Sequence, residues 1–164
     1  MPDFHGVNHI ALTVRDLDVS ERFYCDLLGF MLILDVGYGR ICIHRASGFS
    51  IALLRPDGAD EERFSPLHTG LDHIGLAAES RDELVEWEQR LQDAQVAYSP
   101  IQDMPLGHHL NFTDPDGIAL ELQAPNTIFE AALVELRTDL PDEVVRTRAA
   151  ELLQTLSTSP GSTG

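Results

Sequence analysis

Two histidines and one glutamate stand at related positions in three strand-like segments. His9 opens HIALTV, His73 opens HIGLAA, and Glu121 lies within IALELQ. Because side chains alternate between the two faces of a strand, all three fall on the face opposite the apolar residues. Two imidazoles and a carboxylate bind divalent metal ions and leave coordination positions open. The sequence therefore predicts a metal site if the fold brings the three together. The alternative for either histidine alone is a hydrogen-bonded or surface residue.

Small residues accompany each histidine on its strand face. Ala11 follows His9 on that face, and Gly75 and Ala77 follow His73. Short side chains leave open space beside the larger imidazoles. This pattern predicts a cavity in which a metal ion would sit.

A further histidine, His109, is the candidate for acid–base chemistry. The run DPDG, residues 114–117, predicts a tight turn between two strands. If Phe112 pairs with Ile118 across this hairpin, the same register sets His109 opposite Glu121. There His109 would exchange a proton with a bound substrate. The alternatives are a residue that supports the metal ligands and an exposed histidine.

The chain is internally duplicated. HIALTV and HIGLAA are each followed by an amphipathic segment with helix-capping residues, and then by three extended segments. Asp18 and Ser80 are the predicted N-caps, and Gly29 is predicted to end the first helix. The extended segments are FMLILDV, RICIHR and SIALLR in the first half, and VAYSP, HHLNFT and IALELQ in the second. Each half is thus predicted to be a βαβββ module, over about residues 5–57 and 69–125.

Residues 127–164 lie outside the duplication. The segment DLPDEVVRTRAAELLQTL predicts a helix, because apolar residues recur at helical spacing: Val145, Ala149, Leu152 and Leu156. The last eight residues, STSPGSTG, predict a disordered tail. The predicted organisation is one duplicated domain over residues 1–126, of the α+β class, followed by a helical extension.

Composition and charge limit the classes of function. The chain of 164 residues has a formal net charge of -16, and its 11 basic residues are arginines spread along the sequence. Nucleic acid is therefore not an expected partner. No segment has the character of a membrane span or a signal peptide, so a cytoplasmic protein without a membrane partner is expected. Cys25 and Cys42 lack the spacing of metal ligands and are predicted to be buried thiols.

Four features together resemble the vicinal oxygen chelate superfamily, the glyoxalase, bleomycin resistance and extradiol dioxygenase group. They are NHIALTVRDLDVSERFYCDLLGF, DHIGLAA, the helix between them, and FTDPDGIALELQ. The resemblance covers residues 5 to about 125. It implies paired βαβββ modules that form cup-shaped mixed sheets around a metal, with His9, His73 and Glu121 as ligands. It also implies an enzyme whose small-molecule substrate chelates the ion through neighbouring oxygens, the ion acting as a Lewis acid.

The resemblance does not select one reaction. Glyoxalase-type members usually have a carboxylate where Ala52 stands, so the ligand set is closer to ring-cleaving dioxygenases and fosfomycin-type thiol transferases. HHLNFT lacks the tyrosine usual in the dioxygenases. The transferases usually have a threonine at the position of Ala11, a serine at that of His109 and a tyrosine at that of Asn111.

The resemblance also leaves the ion and the reaction class open. Fe(II), Mn(II), Zn(II) and Ni(II) all suit the predicted ligands. A homodimer is expected, and its site can combine His9 of one subunit with His73 and Glu121 of the other. The alternative function is that of a metal-free, drug-binding protein of the bleomycin-resistance type.

Overall fold

The computed structural model describes residues 6–158, which form two compact units. The first unit takes in the described residues up to His73, together with Asp93–Val96 and Thr113–Ala119. The second unit takes in the remaining described residues. Each unit contains one sheet.

The sheet of the first unit is mixed and has four strands. In chain order these are β1 (His9–Thr13), β2 (Met31–Asp35), β3 (Gly39–Ile43) and β4 (Ser50–Leu54), and their spatial order is β1-β4-β3-β2. β1 runs parallel to β4, whereas the other neighbouring pairs are antiparallel. Along β1, Leu12 is 5% exposed, whereas His9, Ala11 and Thr13 are exposed. The predicted alternation of β1 is therefore confirmed.

A helix with a π-helical end connects β1 to β2. Helix α1 (Leu17–Arg22) continues into a π-helical turn (Phe23–Leu27), and Gly29 follows with a φ of +78°. Glycine adopts this backbone at no steric cost, which confirms its predicted place at the helix end. The prediction that Asp18 is the N-cap of α1 is wrong. Asp16 has an extended backbone, and its carboxylate accepts from the N–H groups of Asp18 and Val19 at 2.9 and 3.0 Å.

The sheet of the second unit repeats the strand order of the first. Its strands are β5 (Ile74–Ala77), β6 (Gln102–Met104), β7 (Gly107–Thr113) and β8 (Ala119–Pro125), in the spatial order β5-β8-β7-β6. β5 runs parallel to β8, and β6 is antiparallel to β7. Leu120 and Leu122 are buried on one face of β8, while Glu121 lies on the other. The equal order of the two sheets confirms the predicted duplication and the α+β class.

The edge strand of the second sheet comes later in the chain than predicted. VAYSP is predicted to be a strand, but of these residues only Tyr98 forms a bridge, with Phe112, and the N–H of Ser99 donates to the carbonyl of Asn111 at 2.8 Å. Pro100 has no N–H to donate to a ladder, so the pairing stops there. It resumes in β6.

Helix α2 (Arg81–Asp93) follows β5 and is capped as predicted. The Oγ atom of Ser80 accepts from the N–H of Glu83 at 3.1 Å. Leu84 and Leu91 are fully buried, so one face of the helix is covered. The predicted amphipathic pattern is confirmed.

In the described part of the chain, two helices follow the second sheet, where the sequence predicts one. The sequence analysis misses α3 (Thr127–Leu136), which Asn126 caps by accepting from the N–H of Phe129 at 2.8 Å. The predicted helix is α4 (Asp142–Thr158), which packs against α3 and buries Val145 and Ala149. Because α4 runs to Thr158, the first two residues of STSPGSTG are helical, and the rest of that predicted tail lies outside the described residues. None of the helices described here is long and apolar enough to cross a membrane.

Candidate metal centre

Both predicted ligand histidines are held by the residue that precedes them. His9 opens β1, and its Nδ1 lies 2.7 Å from Oδ1 of Asn8. His73 immediately precedes β5, and its Nδ1 lies 2.7 Å from Oδ1 of Asp72. A carboxylate only accepts hydrogen bonds, so the His73 ring donates through Nδ1 in this contact. Histidines that bind metals are commonly oriented in this way.

The sequence analysis misses the two partners of these histidines. Their signal is present in the sequence, because a side chain with a carbonyl or carboxylate oxygen precedes both histidines: NHI in the first module and DHI in the second. The repeated contact adds a second likeness between the two modules.

Glu121 meets His109 as the hairpin register predicts. Nδ1 of His109 lies 2.7 Å from Oε2 of Glu121, and the two side chains are 21% and 14% exposed. On the other side of Glu121, the residue paired with it in β5 is Gly75, which places no side chain beside the carboxylate. The predicted juxtaposition of His109 and Glu121 is therefore confirmed.

The second ring nitrogen of His109 has no partner among the described residues. Its Nε2 is buried and makes no hydrogen bond within the part of the chain that the structure describes. A buried polar atom left unsatisfied typically costs about 1–3 kcal/mol. Nε2 is therefore the ring nitrogen of His109 that no described group engages.

The donor types of the three predicted ligands fit a divalent ion. Imidazole nitrogens together with a carboxylate oxygen suit several first-row metals. Among residues 6–158 of a single chain, however, no group of three or more histidine, cysteine, aspartate or glutamate side chains is placed to hold a metal ion. Within the second unit, the structure joins Glu121 to His109.

A cavity of about 350 Å³ borders β1 in the first unit. Ala11 and Thr13, from the strand face that carries His9, form part of its wall, and Arg63 and Phe64 contribute from the segment between β4 and β5. The N–H of Phe64 donates to the carbonyl of Asp116 at 3.0 Å, which fastens this segment to the DPDG turn. The volume lies within the range of small-molecule sites.

The first carboxylate of the DPDG turn, Asp114, is buried, and both of its oxygens accept hydrogen bonds. Its Oδ1 accepts from the backbone N–H groups of Asp116 and Ile118 at 2.9 and 2.8 Å, and its Oδ2 accepts from the hydroxyl of Tyr24 at 3.0 Å. Burial, above all, raises the pKa of Asp114. Burial, followed by the nearby Asp114 carboxylate, raises the pKa of Tyr24 well above its usual value.

The second carboxylate, Asp116, ties the turn to the start of α1. It is 5% exposed, accepts from Nε of Arg15 at 2.6 Å and accepts from the hydroxyl of Ser20 at 3.4 Å. Arg15 also donates to the carbonyl of Pro115 at 2.9 Å. Both acids of the turn are therefore engaged in holding the fold.

The two sheets have equal strand order, and a histidine stands at the start of β1 and directly before β5. The chain belongs to the Glyoxalase/Bleomycin resistance protein/Dioxygenase superfamily, whose family model matches residues 6–122. The chain is 32% identical over 120 residues to the metallothiol transferase FosB of Staphylococcus epidermidis, covering 71% of this chain and 80% of that protein.

Solved structures share the fold. A glyoxylase/bleomycin resistance protein/dioxygenase domain from Frankia is 35% identical with a TM-score of 0.69, over 76% of this chain and 100% of that one. A variant of the fosfomycin resistance protein FosX from Listeria monocytogenes, solved with Mn(II) and 1S,2S-dihydroxypropylphosphonic acid, is 23% identical. Its TM-score is 0.59, over 76% of this chain and 94% of that one.

Proposed function

We propose that this protein is a divalent-metal-dependent enzyme that acts on a small molecule with neighbouring oxygen atoms, with His9, His73 and Glu121 as ligands. The observation that carries the proposal is the matched support of the two histidines, whose Nδ1 atoms both lie 2.7 Å from an Oδ1 of the preceding residue. The metallothiol transferase FosB, at 32% identity, supports metal-dependent chemistry. When bound, the ion would supply Lewis-acid polarisation of the substrate oxygens.

The experiment that tests the proposal is metal binding by the full chain. The protein is reconstituted without oxygen in Fe(II), Mn(II), Zn(II) or Ni(II), and the bound metal is measured by elemental analysis. Loaded protein is then assayed for thiol addition to fosfomycin and for ring cleavage of a catechol in air. Stoichiometric metal supports the proposal, and the reaction that proceeds identifies the chemistry.

A metal-free binding protein of the bleomycin-resistance type is the second candidate. It is favoured by the cavity beside β1. If no ion binds, while a drug-sized ligand binds and shifts the melting temperature, this second function replaces the first.

We also propose that two copies of the chain share each metal site, His9 coming from one copy and His73 and Glu121 from its partner. In a symmetric dimer, such sharing gives two equivalent sites. A hybrid of a His9→Ala copy and a Glu121→Ala copy would then contain one intact site, whereas each variant alone contains none.

The expected result of mixing these two variants after partial unfolding and refolding is about one bound ion per hybrid dimer, since a C2 dimer has two sites. Elemental analysis of the hybrid, isolated through two different affinity tags, measures this number. If all three ligands came from one copy, every site in the hybrid would lack one ligand, and the mixture would bind as little metal as either variant.

His109 is proposed as the group that gives or takes a proton, at Nε2, the nitrogen that Glu121 does not occupy. His109→Gln is expected to lower turnover by about 100-fold or more, the usual contribution of a positioned acid or base. Bound metal is expected to stay near the wild-type level, because a glutamine amide still donates to Glu121. The assay is whichever probe reaction the wild type catalyses, combined with elemental analysis.

The matched control for this prediction is His108→Gln. His108 is the preceding residue, on the opposite face of β7, and its Nδ1 lies 2.6 Å from Oδ1 of Asp103. This variant is expected to keep both turnover and metal. Unchanged turnover in His109→Gln contradicts the proton role, and loss of metal in that variant assigns His109 to the support of Glu121 instead.

A further inference from the structure

The two cysteines of the chain touch each other in the first unit. Sγ of Cys25 lies 3.6 Å from Sγ of Cys42, and both are free thiols. Cys25 lies in the π-helical turn after α1, and Cys42 lies in the middle of β3. Cys42 is fully buried, whereas Cys25 is partly exposed.

We propose that Cys25 and Cys42 form a reversible intramolecular disulfide when the protein meets a hydroperoxide. A disulfide bond is about 2.05 Å long, so the two sulfurs must approach each other by about 1.5 Å. The inference is independent of the proposed metal site.

The π-helical turn is the element expected to move. Cys42 is fixed on both sides, since its neighbours across the sheet are Leu32 in β2 and Ile51 in β4. Cys25 has no such ladder, and π-helical turns are rare and occur mostly as local irregularities in α-helices. The required approach is therefore expected to come from the Cys25 side and not from Cys42.

The exposure of the two thiols fixes the order of the chemistry. Burial raises the pKa of both cysteines, that of Cys42 to about 12, while the hydrogen bond from Cys25 to Cys42 opposes the rise at Cys25. Cys25 is therefore the better thiolate and the one that a peroxide reaches.

The reaction balances with one hydroperoxide. The Cys25 thiolate attacks a peroxide oxygen, the O–O bond breaks, and Cys25 becomes a sulfenic acid while the leaving oxygen departs as hydroxide or alkoxide and takes up a proton. Sγ of Cys42 then attacks the Cys25 sulfur, the S–O bond breaks, and water leaves with the Cys42 proton. Two thiols are oxidised to one disulfide, and one peroxide is reduced.

The test treats the full wild-type chain with hydrogen peroxide in the presence of a chelator, followed by alkylation of free thiols, trypsin and mass spectrometry. Trypsin cleaves after arginine, so Cys25 falls in peptide 23–40 and Cys42 in peptide 41–45. The expected product is these two peptides joined, about 2 Da lighter than their sum because two hydrogen atoms are lost. Dithiothreitol is expected to separate them.

Two further readouts keep the result unambiguous. The intact oxidised protein is expected to remain a single chain, and not two chains joined by a disulfide. Its Tm is expected to rise by roughly 5–10 °C, because a disulfide that closes a short loop stabilises the folded state. Cys25→Ala is the control and is expected to show neither change. A link between two chains, sulfinic acid at Cys25 with Cys42 still alkylated, or two alkylated thiols after treatment would each overturn the proposal.

Discussion

Replacing Glu121 with alanine is expected to weaken divalent metal binding by more than about 100-fold, because loss of even an outer hydrogen-bonding partner of a ligand typically costs 10–100-fold. Glu121 is the single carboxylate of the proposed ligand set. Without it, the remaining ligands carry no negative charge to offset the positive charge of the ion. The measurement is elemental analysis after reconstitution without oxygen, with a competition titration to obtain the affinity.

The matched control for Glu121→Ala is Gln123→Ala. Gln123 lies on the same face of β8, two residues further along, and pairs with Ala77 in β5. It is expected to bind metal like the wild type. Since Glu121 also holds His109, the melting temperature of Glu121→Ala is measured as well, so that unfolding is not mistaken for loss of a ligand. Equal metal in Glu121→Ala and the wild type would rule Glu121 out as a ligand, and no metal in either would favour the binding protein.

Replacing Asp114 with alanine is expected to lower the free energy of unfolding by about 3–5 kcal/mol, since each buried donor left unpaired costs about 1–3 kcal/mol. Three donors lose their acceptor: the backbone N–H groups of Asp116 and Ile118, and the hydroxyl of Tyr24. Urea denaturation measures the change.

The control for this prediction is Asp114→Asn, which keeps the shape of the side chain and an acceptor oxygen. Its cost is expected to be below about 1.5 kcal/mol, because the backbone N–H groups keep a partner. If alanine and asparagine destabilise equally, the charge of Asp114 matters more than its hydrogen bonds, contrary to this account.

The pH dependence of stability tests the state of Asp114 separately. Burial raises its pKa in the folded protein above the usual 3.8. At a pH between 3.8 and the higher folded-state pKa, the folded state holds a proton that the unfolded chain has lost, so folding takes up a proton. The contribution of Asp114 therefore becomes more favourable as pH falls through the folded-state pKa, and it is constant below 3.8. Wild type is expected to gain stability relative to Asp114→Asn over this acidic range, and a difference independent of pH would contradict the raised pKa.

Much of the fold follows from local patterns in the sequence. The alternation around Leu12 and Leu120 depends only on neighbouring residues, and it places the strand faces correctly. The cap of α1 is harder, because Asp16 and Asp18 are both good capping residues and the choice depends on which one has the extended backbone. Helix α3 is missed because its cap, Asn126, directly follows a strand and gives little warning of a new element.

In the candidate site too, some contacts follow from local sequence patterns and others do not. The contact between His109 and Glu121 could be predicted because a tight turn fixes the register of a hairpin by counting residues. The contact between Tyr24 and Asp114 joins positions 90 residues apart and depends on how the unit packs. No local pattern specifies such a partner, so the sequence indicates a turn and not the network around it.

The buried acids of the DPDG turn affect how sequence resemblance should be interpreted in this superfamily. DPDG is part of the resemblance, yet its two carboxylates are 2% and 5% exposed and are engaged by Tyr24, Ser20 and Arg15. A motif of this kind records how a chain folds, and it is compatible with any chemistry that the same scaffold supports. The four residues of DPDG therefore indicate how this chain folds, and the proposed ligand Glu121 lies outside them.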